Sequence, residues 1–333
     1  MNLANKYRPN KIEEIIHQQV PCAILRKHIT DDKMQPAYLF VGGAGCGKTS
    51  LARIVANEIS TNIVEIDGAS NNSVDNVRVI IEDAQMNAIG GGRKVYIIDE
   101  VHMLSTSAFN ALLKILEEPP SHVVFILCTT EMHKVPLTIQ SRCMYLRFDP
   151  IPAIKIYERL KHILDCEGIK EYEDEAIKQI AKMANGGMRK GISLLDRLIS
   201  YNQGITLESL KLVGMESYSI YYDSILEICN NKNCKPFIQL ISTQNMYKLK
   251  DTMWEIYKVC VDTVIYHTLQ SWENIVLPKT SETKNFFETV DIDMLQRLIN
   301  QYIDIILEGM YQYTENNLRN IIVYKIIKFC DKE

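Results

Sequence analysis

The chain has 333 residues, 47% of them hydrophobic and 23% charged, with a formal net charge of -4. That balance suits two or three globular domains and excludes a protein coated in basic surface, although a local basic patch depends on where charge sits rather than on its sum. Nine scattered cysteines without a C-x-x-C pair suit reduced thiols better than a disulfide framework or a zinc site, and neither an apolar signal segment at "MNLANKYRPNK" nor a bilayer-length apolar run is found, so a cytoplasmic protein with no membrane partner is expected.

In chain order, short β-branched runs predict buried strands at 37–41, 62–67, 94–99 and 123–130. Between them "TSLARIVANEI", "SVDNVRVIIEDAQ" and "SAFNALLKILEE" carry apolar residues at helical spacing. Strands alternating with helices predict an α/β domain with a mostly parallel sheet and helices on both faces. Pro150 and Pro152 mark its end, after which the pattern is helical only. Helices are predicted at 153–167, 174–185 and 188–202, with Gly186 and Gly187 separating the last two. From about Ser217 longer helices follow. One of them places Ile292, Leu295, Leu298, Ile299, Tyr302, Ile305 and Ile306 on a single face, and "WENIVLPKTSETKN" is read as the one notable loop. The expected domains are 1–150 (α/β, nucleotide-binding), 151–214 (small, helical) and 215–333 (helical).

"GGAGCGKT" fits G-x-x-x-x-G-K-[ST], following a strand and opening a helix. Gly42, Gly43, Ala44, Gly45, Cys46 and Gly47 would let backbone N–H groups curl around phosphates, with Lys48, Thr49 and Ser50 continuing the cradle into the helix N-terminus. Lys48 would reach the β- and γ-phosphates of ATP, and the Thr49 hydroxyl would ligate Mg²⁺. The competing reading is a glycine-rich turn with a chance lysine. "KVYIIDE" ends a strand in Asp99 and Glu100, which would hold the Mg²⁺ shell and polarise the attacking water respectively; alternatively they are two solvated acids at a strand end. Together the two motifs predict ATP hydrolysis.

The stretches "KYRP", "AYLFVGGAGCGKTS", "VEIDGASNNSVDNVR", "KVYIIDEVHMLSTSAFNALLKILEEPPSHVVFILCTTEMHKVPLTIQSRC" and "ANGGMRKGISLLDRLIS" occur in an order that resembles the γ/τ subunit of the bacterial replicative polymerase's clamp loader, an AAA+ ATPase. The resemblance is dense over residues 5–202 and thin beyond. It implies a helical lid at 151–214 and an oligomerisation collar at 215–333. It also implies a trans-acting finger at Arg142 of "SRC", reaching the γ-phosphate held by a neighbouring subunit. The bland alternative is a surface arginine paired with a carboxylate, yet nothing acidic stands near it in the sequence. The same likeness implies a sensor 1 position at Thr129 and Thr130, a sensor 2 at Arg189, and an adenine-covering segment at Tyr7, Arg8 and Pro9. For primer–template DNA it implies contacts from Ser70, Asn71, Asn72, Ser73 and Lys114, although "SNNSVD" also reads as a helix N-cap.

Three departures stand out. His17 occupies a place where the family commonly has glycine, Gly191 stands where it commonly has alanine, and no zinc module lies between the P-loop helix and the next strand. Nothing after Glu333 remains for a τ-type extension, which suits a compact, phage- or mobile-element-encoded version. The expected function is an ATP-hydrolysing motor subunit of a sliding-clamp loader. It would act as part of a DNA polymerase III holoenzyme, in an oligomer (a pentamer in the family) with other loader subunits, the clamp and DNA. The alternatives are an ATP-binding structural subunit that does not turn over, and another DNA-linked AAA+ motor such as a branch-migration helicase.

Overall fold

The computed structural model describes residues 2–86, 92–214, 218–242, 244–272, 274–277, 280–304 and 315–331. The chain divides into two compact units, Met1–Ser209 and Leu210–Glu333.

The first unit is built on five parallel strands: β1 (Ala37–Gly42), β2 (Asn62–Asp67), β3 (Lys94–Asp99), β4 (Val123–Thr129) and β5 (Met144–Phe148), in the order β2-β3-β4-β1-β5. Two short helices, α1 (Leu3–Lys6) and α2 (Gln19–Thr30), precede the sheet. The crossovers carry α3 (Lys48–Ile59), α4 (Val74–Gln85), α5 (Thr106–Glu117) and α6 (Leu137–Gln140). Period-two alternation sends Leu39 and Val41 of β1 into one core with Val77 and Leu112, and Tyr38 and Phe40 into another with Leu51 and Val55. The sheet is therefore covered on both faces, as parallel sheets require.

Strand β5 lies outside the four predicted strands. Its Tyr145 and Arg147 point to solvent while Leu146 and Phe148 are buried, so an edge strand lacks the continuous apolar run that marks the others. Only residues 60 and 61 separate α3 from β2, the direct connection expected from the sequence.

The lid follows as α7 (Ala153–Cys166), α8 (Asp174–Met183) and α9 (Met188–Tyr201), within one or two residues of the predicted bounds. Gly191 sits in α9 where an added Cβ would come within 3.1 Å of Ile156 and 3.3 Å of Ala184. Close packing of α9 on its neighbours accounts for a glycine there. The division between the two units falls inside α10 (Leu207–Gly214).

Among the described residues the second unit is helical: α11 (Ser219–Asn231), α12 (Lys235–Ser242), α13 (Met246–Leu269), α14 (Ser281–Thr289), α15 (Ile292–Asp304) and α16 (Glu315–Asp331). Leu295 and Leu298 of α15 are buried and Ile292 and Ile299 pack beside them, while the Tyr302 side chain, Ile305 and Ile306 lie outside the described residues. The predicted loop "WENIVLPKTSETKN" is only partly a loop. Its last five residues open α14, because the Thr280 hydroxyl caps the helix by accepting from Thr283 N–H. The preceding segment is pinned by Asp262, whose buried carboxylate accepts from the backbone N–H groups of Val276 and Leu277 at 2.8 and 2.7 Å. Among the described residues no helix is long and apolar enough to cross a membrane.

Candidate nucleotide-binding site

The strand order decides where the chemistry can be. β4 lies between β1 and β3, and the register sets Val41 beside Thr129 and Ile98 beside Leu127. The loop after β1, the acids ending β3 and the threonine ending β4 therefore meet at one edge of the sheet, where ligands bind in open parallel sheets.

There a cavity of about 220 Å³ is lined by Ala44 to Ser50, Asp99, Glu100, Arg8, Pro9, Ile15, Ile16, Met188, Arg189 and Ile192, among others. Gly45 and Gly47 hold φ of +75° and +108°, a left-handed region that favours glycine and turns successive N–H groups inward. Lys48 is 5% exposed, and its Nζ donates to the carbonyl oxygens of Gly42 and Gly43 at 2.8 Å each. Thr49 Oγ1 donates to Asp99 Oδ2 at 2.8 Å, so a hydroxyl and a carboxylate converge as hard oxygen donors of the kind Mg²⁺ takes. The Cys46 thiol donates to the Gly43 carbonyl, and burial pushes its pKa up, which suits a packing role in the loop.

Two cations face this cavity from outside the loop. Arg189 enters from the first turn of α9, and the Met188 N–H donates to Gly45 O at 3.0 Å, tying the lid to the P-loop. Burial, with Arg53 and Arg189 close by, pulls Arg8 below the usual guanidinium value.

Tyr7 does not line the cavity. Its hydroxyl donates to Glu167, and that bond with burial pushes its pKa up to about 12. Thr130 lies one residue past β4 and its hydroxyl donates to Glu100 Oε2 at 3.1 Å. Thr129 is fully buried at the end of β4, 3.1 Å from His102 Nδ1.

Arg142 lies outside this cavity, after α6, and it does have an acid. Its guanidinium donates to Glu117 Oε1 at 2.6 Å and to Thr138 O at 2.7 Å. Folding brings "EEPP" and "SRC" together across 25 residues, which local sequence could not reveal. The side chain keeps 32% of its surface exposed.

Of the residues assigned to DNA, Ser70, Asn71 and Ser73 are held by local hydrogen bonds. Ser73 caps α4 by accepting from Asn76 N–H at 3.3 Å, Ser70 donates to Asp67 Oδ2, and Asn71 donates to Asp67 O. Asn72 accepts from Ser105 N–H at 3.1 Å through its carbonyl. Lys114 lines a groove between α4 and α5 with Arg78, Gln85 and Asn110.

Sequence reasoning missed Gln18 and His102. Gln18 is buried and bridges the P-loop to the end of β5, donating to Cys46 O and Asp149 O and accepting from Asp149 N–H.

Solved structures of the Thermotoga maritima RuvB Holliday junction branch migration motor share this architecture, with a TM-score of 0.54 over 67% of this chain and 80% of that one at 24% identity. A point variant of the same RuvB aligns over 74% of this chain and 85% of its own, with a TM-score of 0.55 at 22% identity. At these identities the likeness concerns the fold, which is that of an AAA+ P-loop protein with a helical lid. Residues 55–152 match the family model "DNA polymerase III, delta subunit", and residues 155–204 match "DNA polymerase III clamp loader subunit, ATPase lid domain". The DNA polymerase III subunit gamma of Buchnera aphidicola subsp. Acyrthosiphon pisum is 32% identical over 92% of this chain and 92% of its own length. The subunit tau of Bacillus subtilis is 33% identical over 97% of this chain, which spans 62% of that protein's length. The subunit tau of Escherichia coli is 36% identical over 61% of this chain, an alignment that takes in 35% of that protein. The chain belongs to the DNA polymerase III gamma/tau clamp-loader family.

Proposed function

We propose that this chain is an ATP-hydrolysing motor subunit of a sliding-clamp loader. The observation that carries the reading is the convergence of the P-loop, Asp99, Glu100 and Arg189 on one cavity, in a chain that aligns with a gamma subunit over nearly the whole length of both.

In this reading Lys48 and the loop N–H groups bind the β- and γ-phosphates, and Arg8 and Pro9 flank the base side of the cavity. Thr49 and Asp99 hold Mg²⁺, which neutralises phosphate charge when bound. Glu100 orients water toward the γ-phosphorus and accepts its proton as the bond to the ADP oxygen breaks, giving ADP and phosphate. Thr129, Thr130 and Arg189 report the presence of the γ-phosphate to β4 and the lid. Arg142 leaves Glu117 to meet the γ-phosphate of a neighbouring subunit, so the working form is an oligomer, a pentamer by family analogy, in the cytoplasm.

Partners are further loader subunits, a ring-shaped clamp and primer–template DNA. Backbone N–H groups at the start of α4, together with Lys114, would lie along DNA phosphates, fixing register without reading sequence. The cofactors are ATP and Mg²⁺, without zinc.

The test is steady-state ATPase of the complex, with and without primed DNA and clamp, alongside Arg142→Ala. Stimulation by DNA and clamp that is lost in the variant, with ATP binding retained, supports the motor. Negligible turnover in every mixture containing the partner subunits leaves a nucleotide-binding structural subunit instead.

A further inference from the structure

His102 lies in the short turn Val101–Met103 after β3, three residues past Asp99, and does not line the cavity. Its side chain is 5% exposed. Nδ1 stands 3.3 Å from Glu100 Oε2 and 3.1 Å from Thr129 Oγ1, and Nε2 stands 3.2 Å from Glu131 Oε1. The ring is thus enclosed by two carboxylates and by the threonine that ends β4.

The partners of the ring are themselves fixed. Glu131 N–H donates to Thr129 Oγ1 at 3.0 Å, and Lys134 pairs with the other Glu131 oxygen at 2.8 Å. That lysine, followed by His102 and His133, holds the Glu131 carboxyl below its ordinary range. On the other side, Glu100 has φ +46° and ψ +47°, a left-handed backbone that a residue with a Cβ adopts only under constraint. The Thr130 hydroxyl donates to the Glu100 oxygen that faces the ring. One oxygen of a carboxylate on a strained turn is thus approached from two directions, in a residue that also lines the cavity.

We propose that His102 is a positioning residue for ATP hydrolysis. It holds Glu100 in the orientation that activates water, and it braces that carboxylate against Glu131 and the end of β4. The inference rests on the motor reading above, since it assigns Glu100 the water. It adds a chain of contacts, Glu100–His102–Glu131, by which movement at the end of β4 resets the catalytic carboxylate. Any buried ring needs polar partners; what marks this one is where its partners lie. Both nitrogens lie within 3.3 Å of polar atoms, and every one of those atoms belongs to the catalytic edge of the sheet.

The experiment compares wild type, His102→Ala, His102→Asn, His102→Gln and Glu100→Gln in the assembled complex with DNA and clamp. The readouts are kcat, Kd for ATP and thermal unfolding. Loss of one charge-assisted contact predicts that His102→Ala lowers kcat about 10- to 100-fold, with the Kd for ATP within about twofold. The asparagine amide can reach the Nδ1 position, and His102→Asn is expected to recover most of the rate. Glutamine reaches toward Glu131 and is expected to recover less.

The proposal is overturned if His102→Ala matches wild type in kcat. It is equally overturned if asparagine and glutamine variants that fold with wild-type stability lose rate equally, or if ATP affinity falls in step with kcat. The two asparagine and glutamine variants also decide the matter if the alanine variant does not fold. Should wild type and Glu100→Gln turn over alike, the motor reading itself fails and takes this inference with it. If Glu100→Gln is slow while His102→Ala is not, the reading stands and only the inference falls.

Discussion

The two units of this chain use their interiors differently. In the α/β and lid unit, polar groups are buried where the sheet ends: Lys48, Thr129 and His102 are all within 5% of complete burial, each with partners that orient it. In the helical unit the interior is mostly aromatic and aliphatic. Tyr222 stacks on Phe286 at 4.6 Å, and Phe287 packs against Tyr266 and Trp272 at 4.9 and 5.4 Å. Its buried carboxylate, Asp262, binds its own backbone. The first arrangement uses burial to orient charge, the second to hold shape, so substitutions should separate turnover from stability according to the unit they fall in.

The largest effect expected is on turnover. Arg142→Ala should lower the DNA- and clamp-stimulated rate by about 10³-fold or more, while its loss of the exposed Glu117 pair should move stability by less than about 1 kcal/mol. A stimulated ATPase assay beside a denaturant melt checks both halves. In the other unit Phe287→Ala removes a fully buried ring and should cost about 3–5 kcal/mol of unfolding free energy, with ATP affinity unchanged in the folded protein. Equal losses of ATP affinity and stability would break the contrast between the units.

Smaller changes sharpen it. Asp262→Ala leaves the buried Leu277 N–H and the part-buried Val276 N–H without this acceptor and should cost about 1–3 kcal/mol, read as a shift of the denaturation midpoint. His17→Gly should go the other way. His17 is exposed with φ +74°, so glycine relieves a left-handed conformation at a gain of about 1 kcal/mol, measurable as a raised Tm. The last effect depends on pH. The Asp83 carboxylate accepts from Tyr96 and Lys94, which hold its pKa below the ordinary value. A depressed folded-state pKa contributes stability that is complete above the unfolded value of about 4 and is lost as pH falls through the folded one. The Tm gap between wild type and Asp83→Asn should therefore be widest near neutrality and shrink below about pH 4.

What can be read from sequence follows the same division. The P-loop and the acids ending β3 are legible because phosphate binding needs particular residues at fixed spacing beside a strand and a helix. His17 stands out in the sequence only as an oddity, and its positive φ supplies the physical reason why glycine would suit that place. Strand β5 escapes a search for apolar runs because an edge strand exposes alternate residues. Glu117 as the partner of Arg142, and Gln18 as a bridge from P-loop to β5, are products of topology that no window of sequence contains. Likeness assigns Tyr7 to the base pocket, and the fold turns its hydroxyl toward Glu167 instead. In the helical unit, periodicity places the apolar face of α15 but cannot find the cap at Thr280 that shortens a predicted loop.

The seam between the P-loop and α9 has a mechanical meaning. A Cβ added at Gly187 would lie 2.8 Å from Ala44 O, and one at Gly45 would lie 3.3 Å from Arg189. With so little slack there, a shift of the loop would carry the start of α9 with it. Over the 14 residues of α9, about 21 Å of helix, a tilt of about 5° at its start swings the far end by about 2 Å. In the motor reading, an adjustment around a bound phosphate would in this way reach the far end of α9.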